Sequence, residues 1–305
     1  MTNNPNKKTI TDWFKGLQDR ICEGLEQLDG QATFHQDLWQ HIEGGGGRTR
    51  IIQGGDLIEK GGVNFSGIHG HLSPKMSEHL QLDLNAAFYA TGVSIVLHPK
   101  NPYMPIIHKN IRYFEVEDGS TYWFGGGIDL TPHYVQVADA QFFHQSLKET
   151  CDAADPAYYP DFKAYADRYF FIPHRKETRG VGGIFFDHLK ADETHTKADR
   201  WAFLQGVGES FLPIYTFFAN KYRQQKYGER EKKWQMLRRS RYVEFNLVYD
   251  RGTKFGLSSK GRIESILMSM PPVAHWDYNV QPKADSAEAF TLRHLRQGID
   301  WLNLT

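Results

Sequence analysis

In an extended chain, side chains alternate between faces, so in the segment VSIVLHP the residues Ser94, Val96 and His98 share one side. The same rule groups His108, Asn110, Arg112 and Phe114 in IIHKNIRYFEV, which makes one strand face unusually polar. If the two strands pair through the proline-rich turn PKNPYMP, His98 and His108 approach each other and Asn110 and Arg112 extend the row. Such a row suits a carboxylate ligand, and it equally suits a solvated sheet face. A second segment, YVEFNLVYD, read as a strand, turns Glu244, Asn246, Val248 and Asp250 one way and its apolar residues the other. Asp250 at its end would accept a hydrogen bond or a proton from a ligand N–H, or else initiate the turn into Arg251-Gly252. In WFGGGIDLTP the three glycines before Asp129 let backbone approach a ligand closely and aim the acid. No Lys-Ser/Thr pair opens a helix after them, so a nucleotide-binding loop is discarded. Arg48, Arg50, Arg112, Arg175, Arg179 and Arg262 lie near glycines or on the polar strands, and a guanidinium fork matches a carboxylate. His98, His108, His144 and His174 are a potential multi-histidine metal set, though no His-Glu-x-x-His spacing links them.

The elements that must position these groups follow from periodicity and breakers. Trp13, Phe14, Leu17, Ile21, Leu25 and Leu28 form one face of an opening helix, with Thr11 and Gly30 as its expected caps. Between Gly44 and His71, short β-favouring pieces alternate with glycines, predicting strands joined by tight turns or a mobile loop. Strands are expected at Gly92 to His98, Ile106 to Val116, Tyr242 to Asp250 and Glu264 to Met270. Helices are expected at Ala138 to Ala154, Asp161 to Phe171, and Asp199 to Arg239 with breaks at Pro213 and Gly228. A last helix is opened by Ser286 and carries Ala289, Leu292, Leu295, Ile299 and Leu302 on one face. Strands adjoining strands with helices grouped between them predict an α+β fold, a large antiparallel sheet flanked by helices in a single domain over residues 1–305.

Composition narrows the function classes. The 305 residues carry 36 Lys+Arg against 36 Asp+Glu, so no overall field favours nucleic acid or an anionic membrane. Apolar runs fall far short of the ~20 residues of a membrane span, and the polar opening residues lack a signal core, which predicts a soluble cytoplasmic protein. Cys22 and Cys151 make no Cys-x-x-Cys pattern, so histidines are the better ligand source.

The segments GGGGRTRIIQGGDLIEKGGVNFSGIHG, HPKNPYMPIIHKNIRYFEV, WFGGGIDLTPHY, YFFIPHRKETRGVGGIFFD and RYVEFNLVYDRGTKFGLSSKGRIESILMSMPP closely resemble the oxygen-dependent coproporphyrinogen III oxidase family of haem biosynthesis, in order and over nearly the whole chain. The resemblance implies oxidative decarboxylation of the ring A and B propionates of coproporphyrinogen III to vinyl groups, giving protoporphyrinogen IX. O2 would be the co-substrate and no organic cofactor would be needed. It implies a proton-donor role for His108, pyrrole N–H contacts by Asp129, and Asp250 as base. Substrate contacts would fall on Ser94, on Asn110, Ile111 and Arg112, and on Lys260, Gly261 and Arg262, where bacterial members read Gly-Gly-Arg. His98, His108, His144 and His174 would be the ligands of a divalent metal of unknown identity. A homodimer formed through Tyr242 to Pro272 also follows from the resemblance, and the glycines of Gly44 to Gly47 with Gly61-Gly62 would suit a lid that closes on a bulky macrocycle. Two other readings remain: a multi-histidine metal-dependent oxygenase or hydrolase acting on another carboxylate-rich substrate, and a non-catalytic tetrapyrrole carrier.

Overall fold

The protein is described from a computed structural model covering residues 4–74, 77–78, 82–258 and 262–305. Helix α1 (Lys7–Asp29) buries Ile10, Phe14, Leu17, Ile21 and Leu25 along one face and ends at Gly30, whose φ of 78° is left-handed. Its N-cap is Asn6, whose side chain accepts from the Thr9 N–H, rather than Thr11; the helix begins a turn earlier, and the Thr11 hydroxyl donates to Lys7 O. Six consecutive strands then form a meander: β1 (His35–Gln40), β2 (Gly45–Gln53), β3 (Ile58–His71), β4 (Ala87–Pro99), β5 (Ile106–Val116) and β6 (Tyr122–Thr131). The glycine-rich stretch from Gly44 to His71 is thus two long paired strands and not a string of short pieces.

Helices α2 (Val137–Asp152) and α3 (Tyr158–Tyr169) follow, then the two-stranded ribbon β7 (Phe171–Ile172) and β8 (Glu177–Thr178), and β9 (Gly183–Leu189). β9 joins the far edge to complete a seven-stranded antiparallel sheet in the order β1-β2-β3-β4-β5-β6-β9. Three helices occupy the long helical stretch: α4 (Lys197–Glu209), α5 (Phe211–Tyr222) and α6 (Glu229–Val248). Pro213 falls in the first turn of α5, where its missing N–H leaves no helical bond unmade, and Gly228 precedes α6. The chain ends with α7 (Arg251–Ser258), α8 (Ile263–Leu267) and α9 (Ala287–His294), the last capped by Ser286.

Two expected strands are helical. Tyr242 to Val248 continues α6, and Ile263–Leu267 is α8. The apolar alternation in YVEFNLV also satisfies a 3.6-residue period, and the burial of Trp234, Leu237, Arg238, Tyr242, Phe245 and Asn246 on one stripe shows which period is used. The final helix stops at His294 and Leu295 caps it, so Ile299 and Leu302 pack from a separate segment.

Register divides the sheet into two unlike faces. Val63, Val93, Ile95, Ile107, Ile111, Phe124, Ile128 and Ile184 are fully buried against α1, α2, α4 and α5 in one apolar cluster. On the other face the register aligns Thr49, Asn64, Ser94, Asn110, Gly127 and Phe185 in a row across the strands. This polar face is partly roofed by α6 and α8. Tyr242 packs on Val96 and Ile106, Ser265 meets Thr49 and Asn64, and the Lys60 amine donates to Met270 O. Among the described residues no helix is long and apolar enough to cross a membrane.

Candidate active site

The register places His108 opposite Asp129, Asn110 opposite Gly127 and Arg112 opposite Gly125, so the polar residues of β5 face those of β6 along one line. His108 Nδ1 donates to Asp129 Oδ1 at 2.7 Å; an ionised carboxylate only accepts, so Nδ1 carries the proton. No described residue bonds to Nε2, which leaves that atom to exchange a proton with a ligand. Asp129 in turn receives Arg179 Nη2 on both oxygens, at 2.7 and 2.6 Å. The ion pair is dry, with side-chain exposures of 1% for Arg179 and 2% for Asp129. Burial alone would raise the Asp129 pKa, but the Arg179 charge and the His108 bond hold it below the usual carboxylate range. Three rings surround the Arg179 guanidinium, with centroids 4.4 Å away for Phe170 and 4.7 Å for both Tyr242 and Phe245.

Four residues along β5 from His108, Arg112 donates from Nη1 to Asn110 Oδ1 at 3.0 Å, and its Nη2 lies 2.8 Å from Asp187 Oδ1 on β9. Arg112 is 33% exposed and His108 20%, so both reach the open part of the face. Ser94 stands opposite Asn110 on β4 and is half-buried. Asp250 lies beyond the β9 edge: it accepts from the Tyr169 hydroxyl at 2.8 Å and from the Thr253 N–H at 2.6 Å, and so caps α7. Tyr169 stacks on Phe185 at 4.2 Å, which ties Asp250 to the same sheet face, and its charge acts on Arg179.

Several of the expected site residues lie apart from this cluster or are turned from its open part. Ile111 points into the apolar cluster on the opposite side, because it lies one residue out of phase with Asn110 and Arg112. Arg262 pairs with Asp37 on the edge strand β1, away from Arg112, while Lys260 and Gly261 lie outside the described residues. Asp129 turns both oxygens to protein partners rather than to an open face.

The four histidines do not gather. Buried His98 donates from Nε2 to Ser269 O at 2.8 Å, and burial with the nearby Arg239 charge pushes its pKa down to about 3. His144, on α2, donates from Nε2 to Val181 O and accepts from Tyr159 at Nδ1, so neither ring nitrogen offers a lone pair. His174 is held between Glu244 and Tyr249, and despite burial Arg175 and His174 keep Glu244 at about 2. Among the described residues, no three His, Cys, Asp or Glu side chains are placed to hold a metal ion, so the set does not fit one within this chain.

A family model described as coproporphyrinogen III oxidase matches residues 9–301. The chain belongs to that family. The match spans every strand and helix named above except the first residues of α1, so the histidine, the arginines and the carboxylates of the polar face all lie on the family's own framework. In this coproporphyrinogen oxidase family member, sequence reading lists Arg179 but gives it no partner, and it does not name Asp187. Arg179 follows a two-stranded ribbon and carries no periodic signal, so only the fold brings it to Asp129. Asp187 was legible in principle: in GIFFDHL, alternation from Phe185 puts it on the same side.

Proposed function

We propose that this chain catalyses the oxygen-dependent oxidative decarboxylation of coproporphyrinogen III in the cytoplasm, as a homodimer. Each reacting propionate loses CO2 and two hydrogens and becomes a vinyl group, while one O2 takes two electrons and two protons to give hydrogen peroxide. The observation that carries this reading is the meeting, on one polar sheet face, of the half-exposed Arg112 fork with a His108 whose proton position is fixed by a buried Asp129–Arg179 pair. Arg112 and Asn110 hold a propionate. His108 exchanges a proton through Nε2, and Asp129 with Arg179 fixes the tautomer and aim of that ring. Asp250 removes a pyrrole N–H proton, which makes the ring electron-rich enough to react with O2. The roof of α6 and α8 excludes water from the intermediate.

The exposed Leu247, Val248 and Ile263 at the ends of α6 and α8 supply apolar surface that a second copy would cover, and sedimentation of the purified chain tests this. The activity test is turnover of coproporphyrinogen III with and without O2, on metal-stripped and untreated protein, following vinyl product and CO2. Equal turnover without any oxidant, or binding with no O2 uptake at all, overturns the reading. Loss of activity on stripping that added metal restores would favour the metal-dependent alternative.

A further inference from the structure

Two of the carboxylates that border the polar face near His108 and Arg112 have both oxygens engaged by the protein. Asp129 is held by Arg179 and His108, and Asp250 by Tyr169 and the start of α7. Asp187 differs. Its Oδ1 faces Arg112 Nη2 at 2.8 Å and takes the His188 N–H at 3.0 Å, while its second oxygen has no hydrogen-bond partner among the described residues. Its side chain is 18% exposed.

The backbone is shaped around this placement. The register between β6 and β9 shifts between Phe124 and Gly126, and His188 takes a φ of 52°, in the left-handed region that a non-glycine residue rarely enters. Across from it, a Cβ on Gly125 would lie 2.7 Å from Asp187 Oδ1 and 2.9 Å from Arg112 Cζ. The local irregularity and the glycine together make room for a carboxylate and a guanidinium side by side on the floor.

A carboxylate on the arginine meant for a propionate weakens that arginine's pull on anions, so anion capture alone does not account for it. Asp250 takes one pyrrole proton in the proposed reaction, and the missing part is an acceptor for the N–H groups that keep theirs. A reduced tetrapyrrole brings four pyrrole N–H donors along with its acid arms, and buried donors need partners. We infer that Asp187 is a substrate-binding residue that accepts the pyrrole N–H groups through its open oxygen, while its other oxygen steadies Arg112 for a propionate. The inference rests on the proposed substrate and extends it to a residue with no previously expected role.

Asp187→Asn tests it. The amide oxygen still accepts from Arg112, whereas the amide nitrogen presents donors to the pyrrole donors. Binding is followed by quenching of tryptophan fluorescence without oxygen, with two ligands: coproporphyrinogen III, and palladium coproporphyrin III, which keeps the four carboxylates but has no N–H. The variant is expected to bind coproporphyrinogen about 10- to 100-fold more weakly and the palladium complex as tightly as the unsubstituted protein. Equal weakening for both ligands means that Asp187 only steadies Arg112 and overturns the inference, as does unchanged binding of both. Failure of the unsubstituted protein to bind either ligand instead defeats the substrate reading on which the inference rests.

Discussion

At the residue scale, the most consequential group is one that meets no ligand. Arg179 is buried, ringed by three aromatics, and neutralised by Asp129. Removing one partner of such a pair leaves an unpaired charge in a dry place. Asp129→Asn is therefore expected to destabilise the protein by about 3–5 kcal/mol in denaturant unfolding and to abolish activity. The pH dependence has a definite sign: the Asp129 carboxyl is held below its unfolded value of about 4, so its contribution is complete above that pH and is lost as pH falls through the lower folded value. Acid unfolding of the unsubstituted protein should therefore be steeper than that of the Asn variant. At this scale the sequence was informative where strand alternation applied: Ser94, His108, Asn110 and Arg112 do share a face. It named Arg179 among the candidate arginines but not its partner Asp129, because a long-range pair leaves no trace in local spacing, and the side chain of Ile111, one residue out of phase with Asn110 and Arg112, faces the apolar cluster.

At the element scale, the sheet and most helices were legible, and the errors have a common origin. Strand β6 was obscured by its own glycines, which lower strand propensity yet are what keep the floor flat under the site. The end of α6 was misread because a seven-residue apolar alternation fits both periods, and only its continuity with Trp234 and Leu237 decides for helix. Asp250 sits at the seam that follows, and both of its expected roles, turn-former and base, remain open to separation. Asp250→Asn keeps a side-chain oxygen for the Thr253 N–H and should leave stability unchanged, while turnover falls by about 100-fold or more if the group is the base. Asp250→Ala should in addition lose about 1 kcal/mol of stability in the same unfolding assay. Full turnover by the Asn variant would reduce Asp250 to a cap.

At the scale of the whole molecule, one charge lies on the wrong side of the sheet. Lys109 is fully buried on the apolar face, where its amine donates to Gly208 O at 2.6 Å, and burial lowers its pKa to about 7. The unfolded chain holds that proton up to about pH 10.4, so between pH 7 and 10 the unfolded state binds more protons and stability rises with pH. Lys109→Met should remove this component, and the stability of the unsubstituted protein relative to the variant should grow across that range in parallel thermal melts. The roof has a different consequence. α8 and the residues after it are tied to the sheet mainly by polar contacts from Ser265, Ser269 and Met270, and they are made after all seven strands. A nascent chain emerging from the ribosome therefore holds α1 and α2, part of the cover for its greasy side, before the sheet is complete and adds α4 and α5 directly after it, so that the side left waiting longest for its cover is the hydrophilic one, which offers chaperones or neighbouring chains little to grip.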